Sequence, residues 1–388
     1  MSHGLHSNLS RFYFFYYFFV GLFVPYWGLY LEYKLFNPVQ IGILLSLFQL
    51  SRIVSPNIWG WIADHTEKRI IWIKLTSFLG FIGFLGIFWS DSFIKIFFIM
   101  MAMSIFTSST LPLVESLTLS HLATTDGHYS KIRAWGSFGF IVASLFFGYL
   151  FDIVGISFLV YGLLIAQIII FTLSFTIPEK KYITKNLPNT SIRKILIQPE
   201  VISLLIGCAC MVTSHGLLYN FYSIYLNEHD YSNSFIGFLW TLGVMCEIVI
   251  FFKMPKILKF LNLKQILILS LLVGVVRFFI IGQFPEWIFL IIFAQTLHAI
   301  TFGSFHIASI EFINHFFTGK NHAKGQAIYN SITYGLGGTI GGLGGGFLIQ
   351  HYGASYAFSL SAIFPLVGFF VIAFGMRNVN LNKISLFR

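Results

Sequence analysis

The stretch FYFFYYFFVGLFVPYWGLYL, residues 12–31, decides the fold class of this chain. It contains no charged side chain, and it has the length that an α-helix needs to cross the hydrocarbon core of a bilayer. Arg11 flanks it and no small-residue cleavage site follows it. We therefore expect a retained transmembrane helix rather than a signal peptide.

The composition of the whole chain agrees with this first segment. Of the 388 residues, 56% are hydrophobic and only 10% are charged, whereas a soluble domain carries about 25% charged residues. Soluble enzymes, secreted modules and disordered proteins are therefore excluded, and an all-α membrane protein remains. Twelve segments are long and apolar enough to span the bilayer, at residues 12–32, 39–60, 70–90, 93–120, 134–151, 155–177, 200–226, 234–252, 265–283, 286–315, 326–349 and 353–376.

The basic residues predict how these segments are oriented. If the spans alternate in direction, twenty of the 24 Lys and Arg fall on one side of the membrane, and only Lys34 and Lys95 fall on the other. Cytoplasmic loops carry an excess of Lys and Arg. We therefore expect both termini in the cytoplasm and the protein in a bacterial inner membrane. The net charge of +10 then reflects loop orientation and predicts no nucleic-acid binding.

The chain repeats itself at a nearly constant spacing. Two glycine matches lie at an offset of 195 residues and two at 198, and three of the four are accompanied by an identical or similar neighbour. Duplicated halves are typical of transporters that rock about a central site. The matches are Gly21 with Gly216, Gly42 with Gly237, Gly148 with Gly346, and Gly155 with Gly353.

The longest polar connection divides the predicted spans into six and six. We predict an N-terminal six-helix bundle at 1–177, a cytoplasmic linker at 178–199 and a C-terminal six-helix bundle at 200–388. The linker is basic and contains three prolines, which is typical of a connection rather than of a domain. With two pseudo-symmetric bundles, the expected protein is a monomer that moves a small molecule across the lipid bilayer.

Three ionisable residues are predicted near the middle of the membrane in the second half. At a rise of 1.5 Å per residue, Glu247, Arg277 and His298 each lie roughly 18–20 Å into their spans. Charges at this depth are costly and mark a partner or a water-filled cavity. We interpret them as a proton-coupling site. The alternative is a static pair between Glu247 and Arg277 that only holds helices together.

Three further charges are candidates for substrate binding in the first half. Arg52 lies inside a span with no acid close in sequence, and an arginine facing a cavity would bind a carboxylate with two hydrogen bonds. Glu115 and Arg133 lie near the ends of consecutive spans and are predicted to pair with each other, while Arg52 with Glu115 is the alternative pair. The aromatic residues that could stack on a ligand ring are Tyr26, Trp135 and Trp240.

Other kinds of chemistry leave no pattern in the sequence. The cysteines suit neither a disulfide framework nor a zinc site, and no His or acidic cluster has metal-ligand spacing. A catalytic triad and a phosphate-binding loop are also missing, so we expect no enzyme, no cofactor and no ATP-driven transport. Eight glycines fall within 335–346 and predict either close helix packing or a helix that bends during gating.

The segment GWIADHTEKR, residues 60–69, resembles the signature of the major facilitator superfamily that follows its second helix. The matching positions are Gly60, Asp64 and Arg69, which the resemblance implies form a gating loop. The usual glycine at position 67 is replaced by Glu. From its position, Asp64 is expected either to cap a neighbouring helix or to pair with Arg69.

Within that superfamily the chain resembles the lactose permease and phenylpropionate permease group along nearly its whole length. The match includes the aromatic first helix and YSKIRAWG at 129–136. In the lactose permeases, the residues at Glu115 and Arg133 bind sugar, and an acid, an arginine and a histidine stand at the positions of Glu247, Arg277 and His298. Those permeases keep an acid at the position of Thr301 and a lysine at that of Gln295. The phenylpropionate permeases match better, and they also share Arg52.

These features together predict a proton symporter that imports a small aromatic carboxylate such as a phenylpropionate-type acid. The alternative on the same scaffold is a nucleoside or oligosaccharide proton symporter, and a drug exporter is less favoured. A receptor or assembly factor that transports nothing is a different class, but it would not need a duplicated core with charges at the midplane.

Overall fold

Twelve long helices make up almost all of the described chain. The computed structural model describes residues 2–122, 128–180 and 191–377, and these contain helices and short connections but no strand. The twelve predicted spans are thereby confirmed. The helices are α1 Gly4–Tyr33, α2 Pro38–Thr66, α3 Arg69–Trp89, α4 Phe93–Leu122, α5 Tyr129–Val154, α6 Ile156–Ser174, α7 Pro199–Glu228, α8 Asn233–Ile257, α9 Leu263–Gln283, α10 Ile288–Phe316, α11 Gly319–Tyr352 and α12 Ala354–Gly375.

The helix ends extend beyond the apolar segments because polar residues satisfy the terminal backbone groups. Asn37 accepts a hydrogen bond from the N–H of Gln40 at the start of α2, and Asn262 does the same for Gln265 at the start of α9. In both cases the glutamine side chain bonds back to the cap, which satisfies two otherwise unpaired donors. These caps define helix starts that hydropathy alone places one and two residues later.

By its contacts the chain divides into two compact units. The first unit contains Met1–Lys185 together with Ser223–Thr241, and the second contains Asn186–Tyr222 and Leu242–Arg388. The predicted division at 178–199 remains a prediction, and residues 181–190 of that linker lie outside the described part. The described remainder of the linker includes a short helix, Ile192–Leu196.

The start of α8 joins the first unit through one carboxylate. Asp152, near the end of α5, accepts hydrogen bonds from the N–H groups of Asn233 and Ser234 at 2.8 and 2.9 Å and from the hydroxyl of Ser234. A negative charge is favourable at a helix N-terminus, where the first N–H groups have no partner in the helix. This contact is one of those that pack 223–241, which comprises the end of α7 and the start of α8, with the first unit.

The two units share the same close helix crossing. In the first unit, a Cβ on Gly21 of α1 would lie 2.6 Å from the carbonyl oxygen of Phe140 in α5. In the second unit, a Cβ on Gly216 of α7 would lie 2.6 Å from the carbonyl oxygen of Gly338 in α11. Gly216 follows Gly21 by 195 residues and Gly338 follows Phe140 by 198, so the offsets of the repeat relate both sides of the contact.

A second matched position confirms the repeat at the end of α5 and of α11. Gly155 has φ 87° and ψ 159°, and Gly353 has φ 86° and ψ 160°. Only glycine adopts this region without strain. The same left-handed turn therefore leads into α6 and into α12.

The glycine-rich part of α11 packs closely against α7. A Cβ on Gly337 would lie 2.7 Å from the carbonyl oxygen of Ala209, and Gly341 faces the carbonyl oxygen of Thr213. Close packing, one of the two predicted roles, is therefore present. The backbone at Asn330–Gly337 is also π-helical, as it is at Ala299–Ser304 of α10. Such wide turns are rare and occur frequently at functional sites.

Candidate transport site

Arg277 of α9 is the centre of a polar network in the second unit. Its side chain is fully buried, and charged groups are tolerated at such places only when their hydrogen bonds are made. Five acceptors surround the guanidinium. They are the carbonyl oxygen of Ala294 at 2.9 Å, Gln295 Oε1 at 3.1 Å, Thr301 Oγ1 at 3.0 Å, His298 Nδ1 at 2.9 Å and His215 Nε2 at 3.3 Å.

The geometry fixes the tautomer of His298. A guanidinium can only donate hydrogen bonds, so Nδ1 of His298 accepts from Arg277 and the imidazole proton lies on Nε2. Nε2 lies 2.8 Å from Oε1 of Glu247 in α8. His298 therefore donates to the carboxylate on one side while it accepts from the guanidinium on the other. A second proton on this ring would put two donors and two positive charges face to face.

His215 of α7 is held in the same way. Its Nδ1 lies 3.0 Å from the carbonyl oxygen of Met211, to which it donates, and its Nε2 faces Arg277. Both imidazoles thus act as neutral acceptors toward one guanidinium. Among the contacts of this network, Glu247 supplies the carboxylate, and its side chain keeps 15% of its surface exposed. Glu247 is therefore the member of the network best placed to gain and lose a proton.

The predicted meeting of Glu247, Arg277 and His298 is thus realised within the second unit. His298 stands between the acid and the base, which differs from the simple ion pair that was the alternative. Gln295 and Thr301 were not among the predicted site residues. Their signal was available, because they lie three residues on either side of His298 at the positions where the lactose permeases keep ionisable groups.

In the first unit, Glu115 and Arg133 each contact a tyrosine and do not form the predicted ion pair with each other. Tyr129 donates a hydrogen bond of 3.0 Å to Oε1 of Glu115. The guanidinium of Arg133 lies 3.9 Å from the ring centroid of Tyr17, which is a favourable cation–π distance. The two charges still act on each other at longer range. Arg133 lies one turn inside α5, because the helix begins at Tyr129 and not near residue 134.

Arg52 of α2 lies opposite the apolar face of its helix. Leu50, Val54 and Ile58 are all about half exposed and repeat every four residues, as expected for a lipid-facing side. Arg52 is two residues from Leu50 and Val54, which is about 200° around the helix. It is exposed, and its Nη1 donates to Gln49 Oε1 at 3.2 Å. Its guanidinium therefore stays accessible on the side away from lipid.

Two further tyrosines of α1 lie near the partners of Glu115 and Arg133. Tyr16 packs its ring against Tyr17, and its hydroxyl donates to the carbonyl oxygen of Thr107 at 3.4 Å. Tyr13 of the same helix makes an edge contact with Tyr129. The tyrosines that contact Glu115 and Arg133, and those packed against them, were not among the predicted site residues. Their signal was the tyrosine content of the opening segment.

The three predicted aromatic residues have well-defined partners of their own. Tyr26 is buried and its hydroxyl donates to the carbonyl oxygen of Ser144 at 2.6 Å. Trp240 is buried and its Nε1 donates to Ser223 Oγ at 2.9 Å. Trp135 is 48% exposed and contacts Phe138, about 200° around α5 from Arg133. Their polar and ring contacts are thus made with Ser144, Ser223 and Phe138.

The predicted gating segment forms a compact ion pair. Nη2 of Arg69 lies 2.7 Å from Oδ1 of Asp64, and Nη1 donates to Ser120 Oγ of α4 at 3.1 Å. Of the two expectations for Asp64, pairing with Arg69 is the one that is realised. Gly60 has open space around it, since a Cβ there would meet no atom within 4 Å. A gating role for this loop remains a prediction.

The sequence profile of the MFS_1 like family matches residues 6–360. The chain belongs to this family. It is therefore a transporter of the major facilitator superfamily rather than an enzyme, as its resemblance and its fold predicted.

Relatives of this major facilitator transporter carry different substrates. The chain is 27% identical over 354 residues to the "Probable 3-phenylpropionic acid transporter" of Escherichia coli (strain K12), covering 88% of this chain and 90% of that one. It is 21% identical over 365 residues to the maltose permease of Geobacillus stearothermophilus, covering 93% and 92%. A mutant of the nucleoside transporter NupG has the same fold, with a TM-score of 0.84 and 17% identity over 96% of this chain and all of that one.

Proposed function

We propose that this protein is a proton-coupled importer of a small aromatic carboxylate, such as a phenylpropionate-type acid. The observation that carries the proposal is the chain Glu247–His298–Arg277. Arg277 donates to His298 and His298 donates to Glu247, so the carboxylate of Glu247 is the group that we expect to take up a proton. Similarity to the phenylpropionic acid transporter of E. coli supports the substrate class.

The proposed mechanism gives each unit its own task. In the first unit, Arg52 and Arg133 supply positive charge for a carboxylate, and the tyrosines around Glu115 supply hydroxyl groups. In the second unit, Glu247 binds a proton from the side with higher proton concentration and releases it on the other. Neutral Glu247 leaves Arg277 without a nearby negative charge, so the two protonation states favour different arrangements of α8 and α9.

A nucleoside or oligosaccharide proton symporter is the second candidate. The maltose permease relative and the fold of NupG support it, and Glu115 with its tyrosine partners could accept the hydroxyl groups of a sugar. Drug export is the less favoured third candidate. A thermal-shift series with aromatic acids, nucleosides and sugars separates these candidates, because a ligand that binds the folded form raises its apparent stability.

We propose the bacterial inner membrane as the location, with both termini in the cytoplasm and the monomer as the working unit. Support comes from the distribution of Lys and Arg between the connections. Cysteine accessibility tests the orientation at two positions: Lys259, between α8 and α9, and Lys95, in the first turn of α4. Labelling of Lys95→Cys from outside the cell and of Lys259→Cys only after permeabilisation is the expected result, and the reverse would contradict it.

The decisive experiment measures uptake of 3-phenylpropionate into proteoliposomes. An inward proton gradient should drive accumulation above the outside concentration, and a protonophore should abolish that accumulation. Undiminished uphill uptake without the gradient would overturn the symport proposal. Uptake of a nucleoside or a sugar under the gradient, without uptake of the acid, would favour the second candidate.

A further inference from the structure

Phe302 of α10 lies among aromatic rings of three helices in the second unit. His298, Phe302 and His306 follow one another at intervals of four residues. Their rings are nearly parallel, at 11° and 5.2 Å between His298 and Phe302 and at 6° and 6.0 Å between Phe302 and His306. Tyr219 of α7 and Tyr334 of α11 stand at 82° and 70° to Phe302, with centroids 6.4 and 6.5 Å away.

The backbone is irregular where this cluster forms. Phe302 lies within the π-helical stretch Ala299–Ser304, and Tyr334 lies within the π-helical stretch Asn330–Gly337. Each wide turn replaces regular helical hydrogen bonds, and such turns are found mostly at functional sites. The two turns lie on the neighbouring helices α10 and α11, and each carries one of the facing rings. Glycines account for the close packing of α11 against α7, so this packing does not explain the irregular turns.

The cluster lies on the inward side of α10 and is still partly exposed. It shares its helix face with His298, which is buried, whereas Phe289 and Phe293 of the same helix are 81% and 50% exposed on the apolar outer side. Phe302, His306, Tyr219 and Tyr334 are each only partly buried. Aromatic surface left open on an inward face, with hydroxyl and imidazole groups at its rim, is the usual lining of a small-molecule site.

We infer that Phe302, flanked by Tyr219 and Tyr334, forms a subsite for the planar aromatic ring of the transported molecule. An incoming ring can make edge-to-face and offset contacts here, which are the preferred aromatic geometries. His306 accepts from or donates to the hydroxyl of Tyr334 at 3.0 Å and so fixes the direction of that ring. This inference rests on the proposed function and identifies what selects an aromatic acid over an aliphatic one.

The test compares 3-phenylpropionate with its ring-saturated analogue, 3-cyclohexylpropionate, by titration of the purified full-length protein. The wild type should prefer the aromatic acid. Phe302→Leu should weaken binding of the aromatic acid by about tenfold and that of the saturated acid much less, since mainly the ring contacts are lost. Phe293→Leu, a ring on the outer side of the same helix, should leave the preference unchanged.

A second pair of variants covers the case in which Phe302→Leu does not fold. Tyr334→Phe and Tyr334→Leu both lose the bond to His306, but only the phenylalanine keeps a ring. The preference for the aromatic acid should survive in Tyr334→Phe and fall in Tyr334→Leu. Equal loss of both acids in Phe302→Leu, or an unchanged preference in every folded variant, would overturn the inference.

Failure of the inference can be told apart from failure of the proposed function. If the wild type binds aromatic acids but the preference does not depend on Phe302 or Tyr334, only the ring subsite is wrong. If the wild type binds no aromatic acid, the proposed function is wrong, and the variants are then compared with uridine and ribose. A preference for uridine that falls in Phe302→Leu would support the ring subsite. If the wild type binds neither uridine nor ribose, or if its preference for uridine is unchanged in Phe302→Leu, the ring subsite is wrong as well.

Discussion

In the first unit the candidate charges keep an exposed surface and have tyrosine neighbours, whereas in the second unit they are enclosed and bonded to one another. Arg52 is exposed and Arg133 lies over a tyrosine ring. Arg277 is fully buried and has five acceptors around it. This contrast exists although both units are built on the same glycine crossing.

The difference shows what duplication leaves free to change. The crossing of α1 with α5 and of α7 with α11 is set by backbone contact, which tolerates only glycine on one side. The polar residues lie on other faces of the helices, where nothing in the crossing restricts them. One copy can therefore keep open charges suited to an anion, while the other copy keeps a closed network suited to a proton.

The largest effect should come from the acid of the second unit. Glu247→Gln imitates the protonated state permanently, so it should abolish uphill uptake but leave counterflow, because exchange of substrate need not release the proton. Uphill uptake and counterflow are measured side by side in proteoliposomes. Glu311→Gln removes another acid of the same unit and should retain uphill uptake.

Two outcomes would break the division of tasks between the units. Surviving uphill uptake in Glu247→Gln would exclude it as the proton carrier and make Glu115 or Glu311 the next candidate. Loss of both uphill uptake and counterflow would indicate a binding or folding role for Glu247.

A smaller, more selective effect is expected from Arg52. Arg52→Gln should weaken binding of an aromatic carboxylate by about tenfold to a hundredfold, since a hydrogen bond between charged groups is lost. The amide analogue of the same acid carries no charge and should bind nearly as before. Equal weakening of both ligands would indicate a structural role for Arg52.

The matched glycines test whether the two crossings are equivalent in energy. Gly21→Ala and Gly216→Ala each place a Cβ 2.6 Å from a backbone oxygen. Each should destabilise its unit by about 1–3 kcal/mol, because the helices must move apart. Gly344→Ala, where a Cβ meets no atom within 4 Å, is the control and should not lower the apparent Tm. A large difference between the first two variants would show that the units are not equally constrained.

The smallest effect belongs to an exposed pair that lies outside the spans of the first unit. Lys34 Nζ lies 2.8 Å from Oδ1 of Asp91. The hydrogen bond raises the pKa of Lys34 and lowers the pKa of Asp91. Its stabilisation is therefore present near neutral pH, lost as pH falls through the lowered pKa of Asp91, and lost as pH rises through the raised pKa of Lys34.

Asp91→Asn should accordingly lower the apparent Tm slightly at pH 7 and leave it unchanged in acid, where the wild-type carboxyl is already neutral. Thermal unfolding at both pH values measures this. A difference between the two proteins that persists below the pKa of Asp91 would mean that the pair acts through packing rather than through charge.

Much of the fold follows from the sequence because hydrophobic length decides a membrane span. The twelve helices, their order and the meeting of Glu247, Arg277 and His298 were all predicted from apolar runs and depth. Hydropathy carries no information on rotation about a helix axis. The position of Trp135 across α5 from Arg133 could therefore not be predicted.

Contacts with carbonyl oxygens and hydroxyl groups that are distant in the chain could also not be predicted from the sequence. The bond from Arg277 to the carbonyl oxygen of Ala294 and the tyrosine partners of Glu115 and Arg133 have no spacing rule. The same holds for the π-helical turns: glycine and hydroxyl side chains weaken a regular helix there, but they do not specify a wide turn. The packing of 223–241 with the first unit includes hydrogen bonds to Asp152, a contact that no sequence pattern indicates.

The neutral state of His215 and His298 has an electrical consequence. With both rings holding a lone pair toward Arg277, the network has room for one additional proton, on Glu247. One proton moving with one carboxylate anion transfers no net charge in the proposed cycle. A membrane voltage would otherwise contribute about 2.3 kcal/mol per elementary charge per 100 mV. Accumulation should thus follow the pH difference alone and stay the same when a potassium diffusion potential is imposed on the vesicles, whereas a second transported proton would make it rise with voltage.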